Sequence, residues 1–91
     1  MEKCIDSIAI NNRLKRIEGQ VRGLMKMVDD DKNCEDIIVQ ISSVKSALHK
    51  TGQAILEGHI KFCVLQGIRE GNVEETLKKL TAVVEQFSRI I

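Results

Sequence analysis

His59 and Cys63 stand four residues apart in a segment with helical periodicity, so both look out from one side of that helix. An imidazole and a thiolate on one face make half of a soft metal site. Cys34 opens the same segment, 25 residues before His59. At about 1.5 Å of rise per residue, that separation is roughly 37 Å in an unbroken helix. Cys34 therefore cannot complete the site within its own chain. The Cys34 of a second chain running antiparallel can. The spacing alone predicts a dimer with two symmetric sites, each built from both subunits. Two thiolates and an imidazole select Cu(I), zinc or an iron–sulfur cluster. Three ligands suit trigonal Cu(I) better than structural zinc, which takes four. Thiol ligands bind deprotonated, so affinity is expected to rise with pH. The plain alternative is cysteine acting as a small packed hydrophobe. Cys4, ahead of the first helix, is either an exposed thiol or a fourth ligand carried by the N-terminal arm.

A second group of residues is basic. Arg13, Lys15, Arg16, Arg22 and Lys26 lie along the first helical segment, with Glu18 the acid among them, and Lys45 and Lys50 lie on the middle one. Such a stripe on a chain of net charge +1 is either a phosphate-binding footprint or an ordinary solvated face. No helix-turn-helix or zinc-finger pattern accompanies it, so DNA binding would use the surface of an assembled oligomer. No proton-transfer pair accompanies the thiols, which argues against an enzyme.

Three elements must carry these residues. The chain has 91 residues, no proline, and two phenylalanines as its aromatic content, which bounds it to one small domain over residues 1–91. Ile10, Leu14, Ile17, Val21, Leu24 and Val28 form a heptad seam on a first helix from about Ile8 to Val28. Asp29 to Lys32 break it. Asn33 is the candidate N-cap of a long middle helix, with Asp36 at the capping-box position. Its stripe is Ile37, Ile41, Val44, Leu48, Thr51, Ile55 and Phe62, with a second row at Ile38, Ala47 and Ala54. Two apolar rows imply cover on more than one side. Gly52 and Gly58 allow close approach or a bend, and the helix is expected to end between Gly67 and Gly71. Asn72, with Glu75 three residues on, opens a third helix with stripe Val73, Leu77, Leu80, Val84, Phe87 and Ile91. Gly19 and Gly23 suggest close helix packing. The fold class is thus all-α: three helices with a long middle one. No apolar run is long enough to span a membrane. An odd cysteine count with no signal peptide points to a reducing, cytoplasmic setting.

The segments NRLKRIEGQVRGL (Asn12 to Leu24), QISSVKSAL (Gln40 to Leu48) and HIKFCV (His59 to Val64) resemble the copper-sensitive operon repressor family. The resemblance spans about Asn11 to Phe87. It implies a small bacterial repressor, an antiparallel helical-bundle dimer that pairs into a dimer-of-dimers tetramer, and binding to operator double-stranded DNA. It implies release of that DNA when Cu(I) occupies an intersubunit site made by Cys34 of one chain with His59 and Cys63 of the next. The positions matching the family's DNA-binding residues are Arg13 and Lys50, assisted by Lys15, Arg16, Gln20 and Arg22. Copper-sensing members often carry a Tyr before the first Cys and a Glu in the third helix. Here those positions hold Asn33 and Lys79, and a lysine cannot accept a hydrogen bond from an imidazole. Glu75, one helical turn earlier, is the candidate substitute.

Other branches of the family compete for the inducer. Nickel and cobalt sensors place extra histidines at the N-terminus and at the second cysteine, and formaldehyde sensors lack that cysteine. Cys63 and the absence of an N-terminal His argue against both. Persulfide sensors keep both cysteines but lack the histidine, so His59 favours copper. Reactive sulfur linking Cys34 to Cys63 is the runner-up. A metal-buffering helical assembly with no DNA function is the reading from a different class, and the basic helix argues against it.

Overall fold

The structure, a computed structural model, describes residues 5–89; Cys4 and Ile91 lie outside the described residues. Every regular element among these is helical: α1 (Ser7–Asp29), α2 (Cys34–Gly58), a π-helical turn (His59–Val64), α3 (Leu65–Arg69) and α4 (Val73–Ser88). The backbone stays right-handed helical from α2 through the π turn into α3. These three pieces form one continuous middle rod, so the expected three-helix architecture holds.

The ends of the rods have local causes. Asp6 caps α1, its carboxylate accepting from the amides of Ile8 and Ala9 at 3.1 Å each. α1 ends in a Schellman motif: the Asp31 amide donates to the Val28 carbonyl, and the Lys32 amide to that of Met27. Asp31 takes the left-handed position, at φ 53°, which Asp tolerates better than most side chains. Asn33 caps α2 as expected, its side-chain oxygen accepting from the Asp36 amide at 3.1 Å. The middle rod ends in the same motif, with Gly71 at φ 82°. The Gly71 amide donates to the Ile68 carbonyl and the Asn72 amide to that of Gly67. Glycine meets no steric penalty there. The expected capping box at Asn72 does not form: Asn72 makes no side-chain cap bond. The Glu75 carboxylate turns instead to Lys79, 3.2 Å away.

α1 and α2 pack side by side, and α4 folds back on the π turn and α3. Overall dimensions are 57 × 25 × 13 Å. The shortest is close to one helix diameter, about 10–12 Å, so the chain is a slab one helix thick. A slab that thin has no interior. Ile10, Ile17, Val44, Thr51 and Val64 are buried, and no large side chain among the described residues is fully enclosed. The predicted seams are consequently only half covered. On α1, Ile10 and Ile17 face α2, while Val21 and Val28 remain 42% and 59% exposed. Thr51 satisfies its hydroxyl by donating to the Ala47 carbonyl at 2.8 Å.

Two glycine expectations resolve differently. Neither Gly19 nor Gly23 has another helix against it: a methyl at Gly23 would meet nothing within 4 Å, and one at Gly19 only the tip of the Arg22 side chain at 3.9 Å. They do not mark close packing between the chain's own helices. Gly67 does. A methyl there would collide with the Thr76 side chain of α4, and Thr is stiff about χ1. Gly67→Ala is therefore expected to lower the melting temperature. Overpacking costs about 1–3 kcal/mol, against roughly 1 kcal/mol gained in helix propensity. Adding Thr76→Ala should restore the melting temperature, and a double variant no more stable than the single one would refute the contact.

Candidate metal and nucleic-acid sites

The two candidate metal ligands on the rod lie inside the π turn, at its first residue, His59, and its fifth, Cys63. A π turn is a local widening of the helix and often occurs at functional sites. Gly58 immediately precedes it, where the sequence suggested close approach or a bend. Both ligand residues are half-buried and line one open cleft between the rod and the start of α4, about 550 Å³ in volume. Cys63 is disulfide-bonded in the structure, so it can ligate a metal only after reduction to the thiolate. Glu75 and Lys79, paired with each other, line the same cleft. The residue expected to substitute for the family's third-helix Glu thus sits in the same cleft as His59, with its carboxylate engaged by Lys79.

Cys34 lies elsewhere. It is the first residue of α2 and exposed, at the far end of the rod from the cleft. Among the described residues of a single chain, no three His, Cys, Asp or Glu side chains converge where they could hold a metal ion. The donor set Cys34, His59 and Cys63 fits a thiolate-rich, three-coordinate metal. It fits only when two chains contribute. Cys4 lies outside the described residues.

The basic residues separate into two groups. Arg13, Arg16 and Gln20 follow the i, i+3, i+7 spacing of one face of α1. That face opens onto α2, where Ser43, Ser46, Ala47 and Thr51 form the floor of a groove and Lys50 joins its wall. The small side chains keep the groove open. Among the described residues, no carboxylate lies within ion-pair distance of Arg13, Arg16 or Lys50, so their charges are available to an anion. Lys15 and Arg22 are not among the groove's lining residues. Arg22 instead binds Glu18 at 2.9 Å. Sequence reasoning singled out the basic stripe but could not divide it, because which face meets α2 depends on packing. The two serines of the groove floor, Ser43 and Ser46, were missed, and Ala47 and Thr51 were read only as apolar-row positions. Their spacing along α2 at 43, 46–47 and 50–51 carries the signal.

Residues 6–86 match the family described as metal-sensitive transcriptional repressor. The chain belongs to this family, that of the copper-sensitive operon repressors, which are transcriptional regulators rather than enzymes. It is 45% identical over 80 residues to the copper-sensing transcriptional repressor CsoR of Bacillus subtilis, covering 88% of this chain and 79% of that protein. It is 46% identical over 79 residues to the copper-sensing transcriptional repressor RicR of Mycobacterium tuberculosis, covering 85% and 82%. Its fold superposes on the crystal structure of the copper-sensing repressor CsoR with Cu(I) from Geobacillus thermodenitrificans with a TM-score of 0.84. The two are 51% identical, over 88% of this chain and 83% of that one. The nickel-responsive regulator InrS is also similar, with a TM-score of 0.83 and 31% identity over 96% and 97% of the two chains. Family and fold are thus shared by sensors of different metals. No helix among the described residues is long and apolar enough to cross a membrane.

Proposed function

We propose that this protein is a Cu(I)-responsive repressor that holds operator DNA when metal-free and releases it when Cu(I) binds. The observation that carries the reading is the division of the ligands. His59 and Cys63 share one cleft while Cys34 lies at the other end of the rod. A second copy laid antiparallel brings each Cys34 to the opposite cleft, giving two identical sites per dimer. The uncovered half of every apolar seam supports that dimer, and pairing of dimers into a tetramer would cover more of it. Cu(I) would supply a soft cation that draws two thiolates and one imidazole to a single point. The chain itself supplies the coupling. Tying Cys34 of one subunit to the π turn of the next restrains how their rods cross, and the rods carry the basic grooves. If the tied arrangement suits DNA less well, Cu(I) and DNA weaken each other by one shared factor, commonly 5- to 150-fold, or about 1–3 kcal/mol. A site that binds Cu(I) through reduced thiols, and a DNA ligand, would suit a reducing cytoplasm.

The copper-sensing relatives and the two-thiolate donor set support Cu(I) over nickel. A sulfur-responsive reading, with Cys34 and Cys63 joined across subunits, is favoured by Lys79 and Asn33 standing where copper sensors often hold Glu and Tyr. Anaerobic Cu(I) titration of the reduced protein, followed by binding to its own upstream DNA, separates the two. One tight Cu(I) per protomer with loss of DNA binding is the expected result. Tight Cu(I) binding with unchanged DNA affinity would reject copper as the inducer.

A further inference from the structure

We infer that Lys79 forms an intersubunit ion pair with Glu35 of the partner subunit, and so sets how the two halves of the shared site meet. The inference rests on the intersubunit site proposed above.

Two observations carry it. The first is the charge in the cleft. Lys79 is the one lysine or arginine among the residues lining it, facing Glu70, Glu75 and Cys63. Its side chain is 71% exposed and reaches Glu75 at 3.2 Å, so it stays mobile enough to take a second carboxylate. The second is the charge around Cys34. Asp29, Asp30, Asp31, Glu35 and Asp36 surround it, with Lys32 the one base between 29 and 36. None of these carboxylates has an ion-pair partner among the described residues.

Geometry then leaves little freedom. Consecutive Cα atoms are about 3.8 Å apart, so any approach that brings Cys34 into the cleft brings Glu35 with it. Without a cation there, at least three carboxylates (Glu70, Glu75 and the incoming Glu35) would meet in one place, and like charges in contact oppose association. Lys79 is the residue placed to offset them. Its flexible stem and three rotatable donors suit bridging Glu75 and the incoming Glu35 together. This gives Lys79 a role different from accepting a bond from His59. It is a positioning residue for the subunit that brings Cys34.

The test is charge reversal and swap on the reduced, metal-free full chain. Self-association can be followed by sedimentation with far-ultraviolet absorbance, since the chain has no Trp or Tyr. Lys79→Glu is expected to raise the dimer dissociation constant about tenfold at low salt, because each reversal acts twice across the two-fold axis. The effect should shrink as salt screens it. Glu35→Lys should do the same, Lys79→Arg should not, and Glu35→Lys combined with Lys79→Glu should return to within about twofold of wild type. If the dimer is too tight to dilute apart, the urea midpoint at fixed concentration reads the same order of variants. A double variant no better than the worse single one would overturn the pair, as would a Lys79→Glu protein indistinguishable from wild type. Cu(I) stoichiometry of the wild type is measured alongside. Failure to bind one Cu(I) per protomer sinks the shared site itself, whereas normal Cu(I) binding without swap rescue sinks only the ion pair.

Discussion

Mixing Cys34→Ala chains with Cys63→Ala chains is expected to restore about one quarter of the wild-type Cu(I) capacity, although neither variant alone holds the metal tightly. The arithmetic follows from two-fold symmetry. In a mixed dimer, one site takes Cys34 from the Cys63→Ala chain and His59 with Cys63 from the Cys34→Ala chain. That site is complete and the other lacks both thiols. Random re-pairing makes about half of all dimers mixed, each with one site of two. The chains would be unfolded together, reduced, refolded and challenged with a Cu(I) chelator, so that only tight binding is read. A site within one chain would give no recovery, because every chain lacks a ligand. The roughly 37 Å of rod between Cys34 and His59 argues against a site within one chain. Each single variant should also keep its metal-free affinity for DNA, since neither cysteine lines the basic groove.

The second large effect is on DNA. Arg13→Ala combined with Lys50→Ala is expected to weaken operator binding by roughly tenfold or more, and similarly on unrelated duplexes. Each lost phosphate contact should reduce the slope of log affinity against log salt by roughly one, repeated for every copy in the assembly. Lys15→Ala and Arg22→Ala serve as comparisons. Lys15 lies off the groove, and Arg22 is already held by Glu18, so both should lose much less. Cu(I) affinity of metal-titrated protein without DNA should be unchanged in all three variants. Gel-shift or anisotropy titrations over a salt series would read this. Equal losses for Lys15→Ala and the Arg13 and Lys50 pair would show that charge alone, not the groove, engages DNA.

Much of this architecture could be read from residue order, because its determinants are local. The polar run after Val28 ends α1, and Asn33 with Asp36 starts α2 where the capping pattern placed it. The i, i+4 pairing of His59 with Cys63 survived into a shared cleft, even though the helix between them is not α-helical. What could not be read depends on packing or on competition. Six residues are too few for a π turn to leave a period distinct from that of an α-helix. Glu75 had two partners open to it, the Asn72 amide and the Lys79 ammonium, and its chemistry does not say which would win. Gly67 and Gly19 look alike in sequence, yet only Gly67 has a helix pressed against it. The two apolar rows of the middle helix predicted cover on more than one side. A single chain provides one side.

The π turn has a consequence for the phase of the rod. Widening one turn takes up residues without adding the matching rise, so α3 is rotated about the rod axis relative to where a regular α-helix would carry it. Before the turn, the rod packs mainly on α1, with α4 also touching it through His49 and Phe87; in and after the turn, the rod meets α4. His59 and Cys63 sit at this phase change. A single-residue deletion between 59 and 64 would let the helix regularise, and would turn the downstream face away from its present alignment with the upstream one. Length in this short stretch should therefore be far less tolerant of change than residue identity, and alignments of related chains should place gaps anywhere but here.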